Sequence, residues 1–198
     1  MTFEFRRFRL RFCFSFFALM CLMLLCGGGT IALYCFGTSL LHECGHLLFL
    51  AAFHADVRMV SFGAGRILID RRDGCFCGFG AELLIALGGI LVNLLLCAVF
   101  GILSTVQPNR TSAVLCIVNG VLAALNLLPV RSLDCYRVLE LLLCRRRNER
   151  TELTLKRVSL ITLCLFFAFC ICLFCCGHGN PSLAAVCLYL MLLHWKTE

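Results

Sequence analysis

Long apolar runs, separated by short polar or glycine-rich breaks, dominate the pattern of hydrophobic and polar positions along this chain. A run of about 20 apolar residues can cross a bilayer as a helix, and shorter runs can borrow length from their flanks. The pattern therefore predicts an all-α polytopic membrane protein with about six transmembrane helices, forming one integral-membrane domain over residues 1–198. The predicted spans are residues 12–26, 30–53, 81–105, 112–128, 158–176 and 182–195.

The longest stretch without a helical pattern follows the second predicted span, at residues 54–80. Residues 57–62 and 66–70 are rich in β-branched and apolar side chains, and an Arg-Asp-Gly turn signal follows at residues 72–74. We therefore predict a short β element at the membrane surface, directly after the second helix, rather than a separate soluble domain.

Composition and charge support a membrane protein and predict its orientation. Apolar residues make up 61% of the chain, against about half in a soluble domain. The net charge of +7 would suggest nucleic acid in a soluble protein. Here the arginines flank apolar runs, so orientation in a lipid bilayer explains them and no nucleic-acid partner is predicted. The positive-inside rule puts both termini, residues 54–80 and residues 145–157 in the cytoplasm.

Seventeen cysteines suggest disulfides at first sight. Most of them lie within the apolar runs, where a reduced cysteine packs as a small hydrophobic residue, so we interpret them as packing residues rather than as bridges. Cys75 with Cys77, and Cys175 and Cys176 with His178, could indicate a second metal site. Their spacings match no common structural zinc pattern, so no such site is predicted.

An HExxH pattern interrupts the second apolar run, as His42-Glu43-Cys44-Gly45-His46. On a helix, His42 and His46 are four residues apart and project from one face, where both imidazoles can bind one metal ion. Glu43 lies beside that face and can take a proton from water at the metal. A chance match is the alternative, but two histidines and a carboxylate are costly in hydrocarbon unless they serve a site. The pattern therefore predicts a metal site below the membrane surface, nearer the end of that helix.

A catalytic zinc usually takes three protein ligands, so a third ligand must come from outside the motif. His54 lies about 12 Å beyond the motif by helical rise. Glu82 begins the next span, where a solvated charge needs no special reason. Asp134 lies at membrane depth after a proline break, where irregular backbone can line a polar cavity. It is the preferred candidate, although an ion pair with Arg131 or Arg137 would also explain it.

An HExxH helix followed by an NLLP-x-x-x-LD segment resembles the site-2 protease family of intramembrane zinc metalloproteases. The resemblance covers residues 30–144 and is greatest to the short, cytoplasm-facing branch of the stage IV sporulation FB type, which processes a sporulation sigma-factor precursor. It implies one zinc ion bound by His42, His46 and Asp134, with Glu43 as general base. It also implies a multi-pass protein of the bacterial cytoplasmic membrane, with its active site towards the cytoplasm.

Two asparagines acquire expected roles from the same resemblance. Asn126, in the NxxP element, would position substrate or steady developing charge, and a stretch similar to a G-P-x-x-N element puts Asn93 near the site. The chain departs from the family at Cys135, where glycine is usual, and at Ile90, where proline is usual. No PDZ or nucleotide-sensing CBS domain is expected, so substrate access would be controlled by the membrane core or by a membrane regulatory partner.

The sequence thus favours an intramembrane zinc metalloprotease that cleaves a membrane-associated protein in or near its transmembrane segment. The expected context is regulated intramembrane proteolysis of a sigma-factor precursor or an anti-sigma factor. The alternative is an inactive relative that binds membrane proteins as a scaffold, for which Cys135 and Ile90 are the motivation. A metal transporter is disfavoured because the last two predicted spans offer few polar residues, mainly Thr162 and His194.

Overall fold

The structure is a computed structural model of the 198-residue chain. Five helices account for most of the described residues, and the chain divides into two compact units, Met1–Leu125 and Asn126–Glu198. The predicted spans at residues 12–26 and 182–195 lie outside the described residues, apart from positions 12 and 191. The described residues are 2–4, 9–12, 29–54, 57–63, 66–71, 78–131, 133–143, 149–173, 175–176 and 191.

Three helices belong to the first unit. Helix α1 is Gly29–Ala52, α2 is Phe79–Val106 and α3 is Arg110–Asn126, whose last residue begins the second unit. Their bounds lie within two residues of the second, third and fourth spans predicted from the apolar pattern. The apolar runs therefore located these helices well, because each run ends at a polar residue, a glycine or a proline.

The short connection between α2 and α3 stops one helix and starts the next. Pro108 has no backbone N–H to donate, and the residue before it, Gln107, has extended backbone. The backbone N–H of Thr111 donates to Asn109 Oδ1 over 3.0 Å, which satisfies one of the N–H groups at the start of α3 that have no partner within the helix. The two helices are thus joined by a tight turn whose residues specify both ends.

Helices α1 and α2 meet backbone to backbone at a pair of glycines. A Cβ on Gly45 would lie 2.5 Å from the carbonyl oxygen of Gly88, and a Cβ on Gly88 would lie 2.8 Å from the carbonyl oxygen of Gly45. Such distances leave no room for a methyl group, so the helix approach depends on small residues at both positions. Gly45 lies inside the HExxH motif, and this contact therefore holds the motif against α2.

Four strands form one sheet in the order β1-β2-β3-β4. Strand β1 pairs antiparallel with β2, β2 pairs parallel with β3, and β3 pairs antiparallel with β4. Among the described strands β4 pairs only with β3, which makes it an edge of the sheet. The strands are β1 Thr2–Glu4, β2 Arg9–Phe12, β3 Val57–Gly63 and β4 Arg66–Arg71.

Strands β3 and β4 occupy the stretch in which the sequence predicts a β element, at residues 57–62 and 66–70. Strands β1 and β2 were not predicted, because residues 1–11 were assigned only to the cytoplasmic N-terminus before the first predicted span. Arginine alternates with an apolar residue over residues 9–12, which is the period of a strand. That signal is only four residues long, and the parallel partner of β2 lies more than 40 residues away in the sequence.

The second unit contains helix α4, Asp134–Leu143, and helix α5, Glu149–Leu173. The N–H of Val130 donates to Leu128 O and the N–H of Leu133 donates to Val130 O, each over 2.8 Å. These two bonds make tight turns after the NLLP element, in the irregular stretch that the sequence predicts. Asp134 consequently falls at the first residue of α4.

Helix α5 anchors those turns. The backbone N–H of Arg131 donates to the buried Ser159 Oγ over 3.0 Å. Val130 and Leu163 form a small buried core, with Leu128 and Leu133 packed against it. The backbone that leads to Asp134 is therefore held by both a hydrogen bond and apolar burial.

Helix α5 begins at Glu149, nine residues before the predicted start of the fifth span at Val158. The prediction placed residues 145–157 in a cytoplasmic loop because charged side chains ended the apolar pattern. Acidic side chains in a first helical turn are favourable near the positive end of the helix dipole, and Glu149 and Glu152 are both there. Lys156 Nζ lies 3.7 Å from Glu152 Oε1, one turn on, which supports the same helix.

Two described helices are long and apolar enough to cross a membrane, Phe79–Val106 and the Glu149–Cys172 part of α5. Helix α3 is apolar but shorter. The number of six spans, the position of the sheet at the membrane surface and the single integral-membrane domain stay predictions.

Candidate metal centre

Helix α1 presents two buried imidazoles on one face, as the four-residue spacing predicts. The ring centroids of His42 and His46 are 5.0 Å apart and their planes are 80° from parallel. Their exposed fractions are only 5% and 9%. Burial of two polar rings side by side is unfavourable unless each ring nitrogen has a partner, so the neighbours of these nitrogens decide what the pair can do.

The Nδ1 atom of His46 lies 2.8 Å from the carbonyl oxygen of Ile85 on α2. A carbonyl oxygen can only accept, so His46 Nδ1 carries the proton and donates it. In the neutral ring the lone pair is then on Nε2. This is the arrangement in which a backbone carbonyl orients a metal-binding histidine, and it leaves Nε2 as the ligand atom.

The Nδ1 atom of His42 lies 2.8 Å from Asn93 Nδ2, also on α2. Asn93 is fully buried, and its Oδ1 is a buried atom without a hydrogen-bond partner among the described residues. The sequence predicted that Asn93 lies near the site, and the structure puts it against one of the two histidines. Its predicted role towards substrate stays a prediction.

Gly89 lies on α2 directly against both rings. A Cβ at this position would overlap Nε2 of His42 and would lie 2.5 Å from Nε2 of His46. Both Nε2 atoms therefore converge on one small region, while both Nδ1 atoms are bonded to α2. The importance of this glycine was not predicted from the sequence, although it opens the stretch that resembles the G-P-x-x-N element.

Three described side chains carry donor atoms that together could hold a metal ion, the imidazoles of His42 and His46 and the carboxylate of Asp134. Asp134 is half-buried in the first turn of α4, where the helix dipole favours an ionised carboxylate. His54 and Glu82, the other ligands considered, are not in this group. His54 is exposed beyond the end of α1, and Glu82 lies in the first turn of α2.

The remaining predicted residues lie at the ends or sides of the same helices. Glu43 follows His42 on α1 and is half-buried. Asn126 is half-buried at the last residue of α3, immediately before the irregular NLLP backbone.

Both departures from the family pattern are accommodated by helical backbone. Ile90 is buried within the continuous helix α2, which proline would interrupt by removing an N–H donor. Cys135 lies in the first turn of α4 and has no positive φ, so this position does not need glycine. Burial raises the pKa of the Cys135 thiol, and the Asp134 carboxylate raises it further.

No protein-family model matches the chain, and no curated protein matches it by sequence. By structure, the chain is similar to "Site-2 Protease from Methanocaldococcus jannaschii", with a TM-score of 0.66 over 99% of this chain and 94% of that chain, at 16% sequence identity. This chain has the fold of a site-2 protease. The resemblance to site-2 proteases that was predicted from the HExxH and NLLP-x-x-x-LD motifs is thereby confirmed at the level of the fold.

Proposed function

We propose that this chain is an intramembrane zinc metalloprotease that hydrolyses a peptide bond in or near the transmembrane segment of a membrane-associated protein. One observation carries the proposal. Two buried imidazoles direct their Nε2 atoms to one region at Gly89, while α2 binds both Nδ1 atoms. A pair of histidines oriented in this way, in a chain with the fold of a site-2 protease, suits a catalytic metal.

The proposed ligands are His42 Nε2, His46 Nε2 and a carboxylate oxygen of Asp134. Two imidazoles and a carboxylate are a donor set that suits zinc, and three protein ligands leave a position for substrate or water. The bond from His46 Nδ1 to Ile85 O and the lack of room for a side chain at residue 89 support a site that is partly shaped before the ion arrives. We propose one zinc ion per chain.

When bound, zinc would act as a Lewis acid that polarises the scissile carbonyl and lowers the pKa of water towards 7. Glu43 would accept a proton from the attacking water while the oxygen of that water bonds to the carbonyl carbon of the substrate. The same carboxyl would then deliver that proton to the leaving amine as the C–N bond breaks. Asn126 would donate hydrogen bonds from its amide to the substrate backbone or to the developing charge.

The proposed substrate is a membrane protein, which must present an extended segment because a transmembrane helix has all its backbone groups bonded internally. The edge strand β4 follows the metal-binding helix in the chain and could pair with such a segment by strand addition. A sigma-factor precursor or an anti-sigma factor is the proposed substrate class, in the bacterial cytoplasmic membrane with both termini in the cytoplasm. A membrane regulatory partner would control access.

Proline in the edge strand should separate substrate binding from metal binding. We expect Ile67→Pro or Ile69→Pro to abolish cleavage while zinc stays bound, because proline removes a ladder N–H from β4 but leaves α1 and α2 unchanged. Ile67→Val and Ile69→Val keep the strand backbone and should cleave at about the wild-type rate. Cleavage rate and zinc content would be measured on the same preparations. Unchanged cleavage by the proline variants would refute strand addition.

Co-expression with tagged membrane-protein candidates tests the proposed function. We expect cleavage of a candidate within or next to its transmembrane segment, and the purified chain should lose this activity with a zinc chelator and regain it with added zinc. Cleavage that continues after all metal has been removed would contradict a metalloprotease. Zinc binding by the wild-type chain without cleavage of any candidate would instead favour the scaffold alternative, which Cys135 and Ile90 motivate.

A further inference from the structure

Asn93 and His42 form a fully enclosed pair whose hydrogen bond has two possible directions. In a neutral imidazole one ring nitrogen carries the proton and the other carries a lone pair. With Asn93 Nδ2 donating to Nδ1 of His42, as the 2.8 Å contact is arranged, the ring proton must be on Nε2. Nε2 of His42 then has no lone pair for a metal, whereas His46 is already fixed in the metal-binding form by Ile85 O.

The opposite direction of the same bond frees the metal-binding nitrogen. A half-turn of the Asn93 amide exchanges its two ends with almost no change of shape. Oδ1 would then accept a proton from Nδ1 of His42, and the lone pair would be on Nε2. The turn also gives Oδ1 a donor, and Oδ1 is the buried atom that has no partner among the described residues.

We propose that Asn93 is a positioning residue for the metal, whose Oδ1 accepts the Nδ1–H of His42 when the ion binds. The inference rests on the proposed metal site and assigns Asn93 to the histidine rather than to substrate. Helix α2 would then set the proton positions of both rings, through Ile85 O for His46 and through Asn93 for His42.

If Asn93 acts as a hydrogen-bond acceptor for His42, Asn93→Asp and Asn93→Leu should differ in zinc affinity, although the two new side chains are similar in size. Turning the amide leaves Nδ2 in need of an acceptor, whereas aspartate has two acceptor oxygens and no donor. Asn93→Asp should therefore bind zinc as tightly as the wild type or more tightly, because a carboxylate bonded to a metal-binding imidazole raises its basicity. Asn93→Leu offers no acceptor and should weaken zinc binding by about 10- to 100-fold.

The chain offers a matched control in Asn119. It is also fully buried and its Oδ1 also lacks a partner among the described residues, but its Nδ2 donates to Leu115 O within its own helix α3. Asn119→Leu thus removes an equally enclosed amide without touching either histidine bond. We expect its zinc affinity to equal that of the wild type.

The experiment is a chelator competition that measures the zinc dissociation constant of the purified full chain and the three variants in detergent. We expect weaker zinc binding in Asn93→Leu only. Asn93→Asp should bind zinc with at least the wild-type affinity. Unchanged affinity in Asn93→Leu, or an equal loss in Asn93→Asp, would overturn the inference. If Asn93→Leu does not elute as a folded species, the comparison of Asn93→Asp with the wild type decides alone. A wild-type chain without zinc would instead refute the proposed function.

Discussion

Replacing Glu43 with glutamine is expected to abolish peptide-bond hydrolysis while leaving zinc bound. Glutamine has nearly the same shape but cannot accept the proton of water, and Glu43 is proposed to serve both the attack and the departure of the amine. Loss of a general acid–base group reduces rates by about 10²- to 10⁴-fold, and we expect the upper part of this range. The measurement is a single-turnover cleavage rate, with zinc content determined on the same preparation.

Glu82→Gln is the matched control for that substitution. Glu82 is another half-buried carboxylate of the first unit, in the first turn of α2, and it is not among the described side chains that could hold the metal. We expect cleavage near the wild-type rate and unchanged zinc content. Wild-type cleavage by Glu43→Gln would remove Glu43 from the mechanism, and loss of zinc from that variant would make it a ligand or a structural residue instead.

Replacing Gly89 with alanine is expected to destroy the metal site through one methyl group. The added Cβ would overlap ring atoms of His42 and lie 2.5 Å from His46 Nε2. The rings cannot move away without losing the Nδ1 bonds to α2, and the helices cannot separate without breaking the contact of Gly45 with Gly88. We therefore expect Gly89→Ala to reduce zinc affinity by at least about 100-fold and to show no cleavage.

Gly101→Ala tests whether a glycine substitution in α2 is harmful in itself. A Cβ at residue 101 would meet Cys116 Sγ at 3.5 Å, an ordinary van der Waals contact. Alanine is favoured over glycine within a helix by about 0.5–1 kcal/mol, so this variant should keep its zinc and resist unfolding slightly better. Equal zinc affinities for Gly89→Ala and Gly101→Ala would contradict the close packing of Gly89 against the histidines.

The parts of this protein that could be predicted from sequence depend on local pattern. The apolar runs located α1, α2 and α3 to within two residues, because in each case the pattern and the backbone change at the same place. The HExxH spacing predicted that His42 and His46 share one face, because helical geometry alone requires it. The HExxH motif and the NLLP-x-x-x-LD segment together were enough to indicate the fold, although the sequence identity to the similar structure is only 16%.

The parts that could not be predicted depend on contacts between distant segments. Ile85 contributes through its carbonyl oxygen, so its side chain gives no signal of the bond to His46. Gly88 and Gly89 are needed because α1 packs directly against them, and the sequence at these two positions does not predict that contact. Strand β2 depends on parallel pairing with β3. The early start of α5 is an exception, because the acidic residues of its first turn are a local signal that an apolar pattern treats as the end of a span.

The zinc content of the purified chain and of an Asp134→Ala variant tests the central claim most directly. Asp134 is the proposed ligand that lies outside the HExxH motif, and Glu140→Ala, on the exposed side of the same helix α4, is the matched control. We expect about one zinc per wild-type and Glu140→Ala chain, and at least about tenfold weaker binding in Asp134→Ala. A wild-type chain that binds no zinc, or an Asp134→Ala chain that binds it with unchanged affinity, would contradict the proposed His-His-Asp centre.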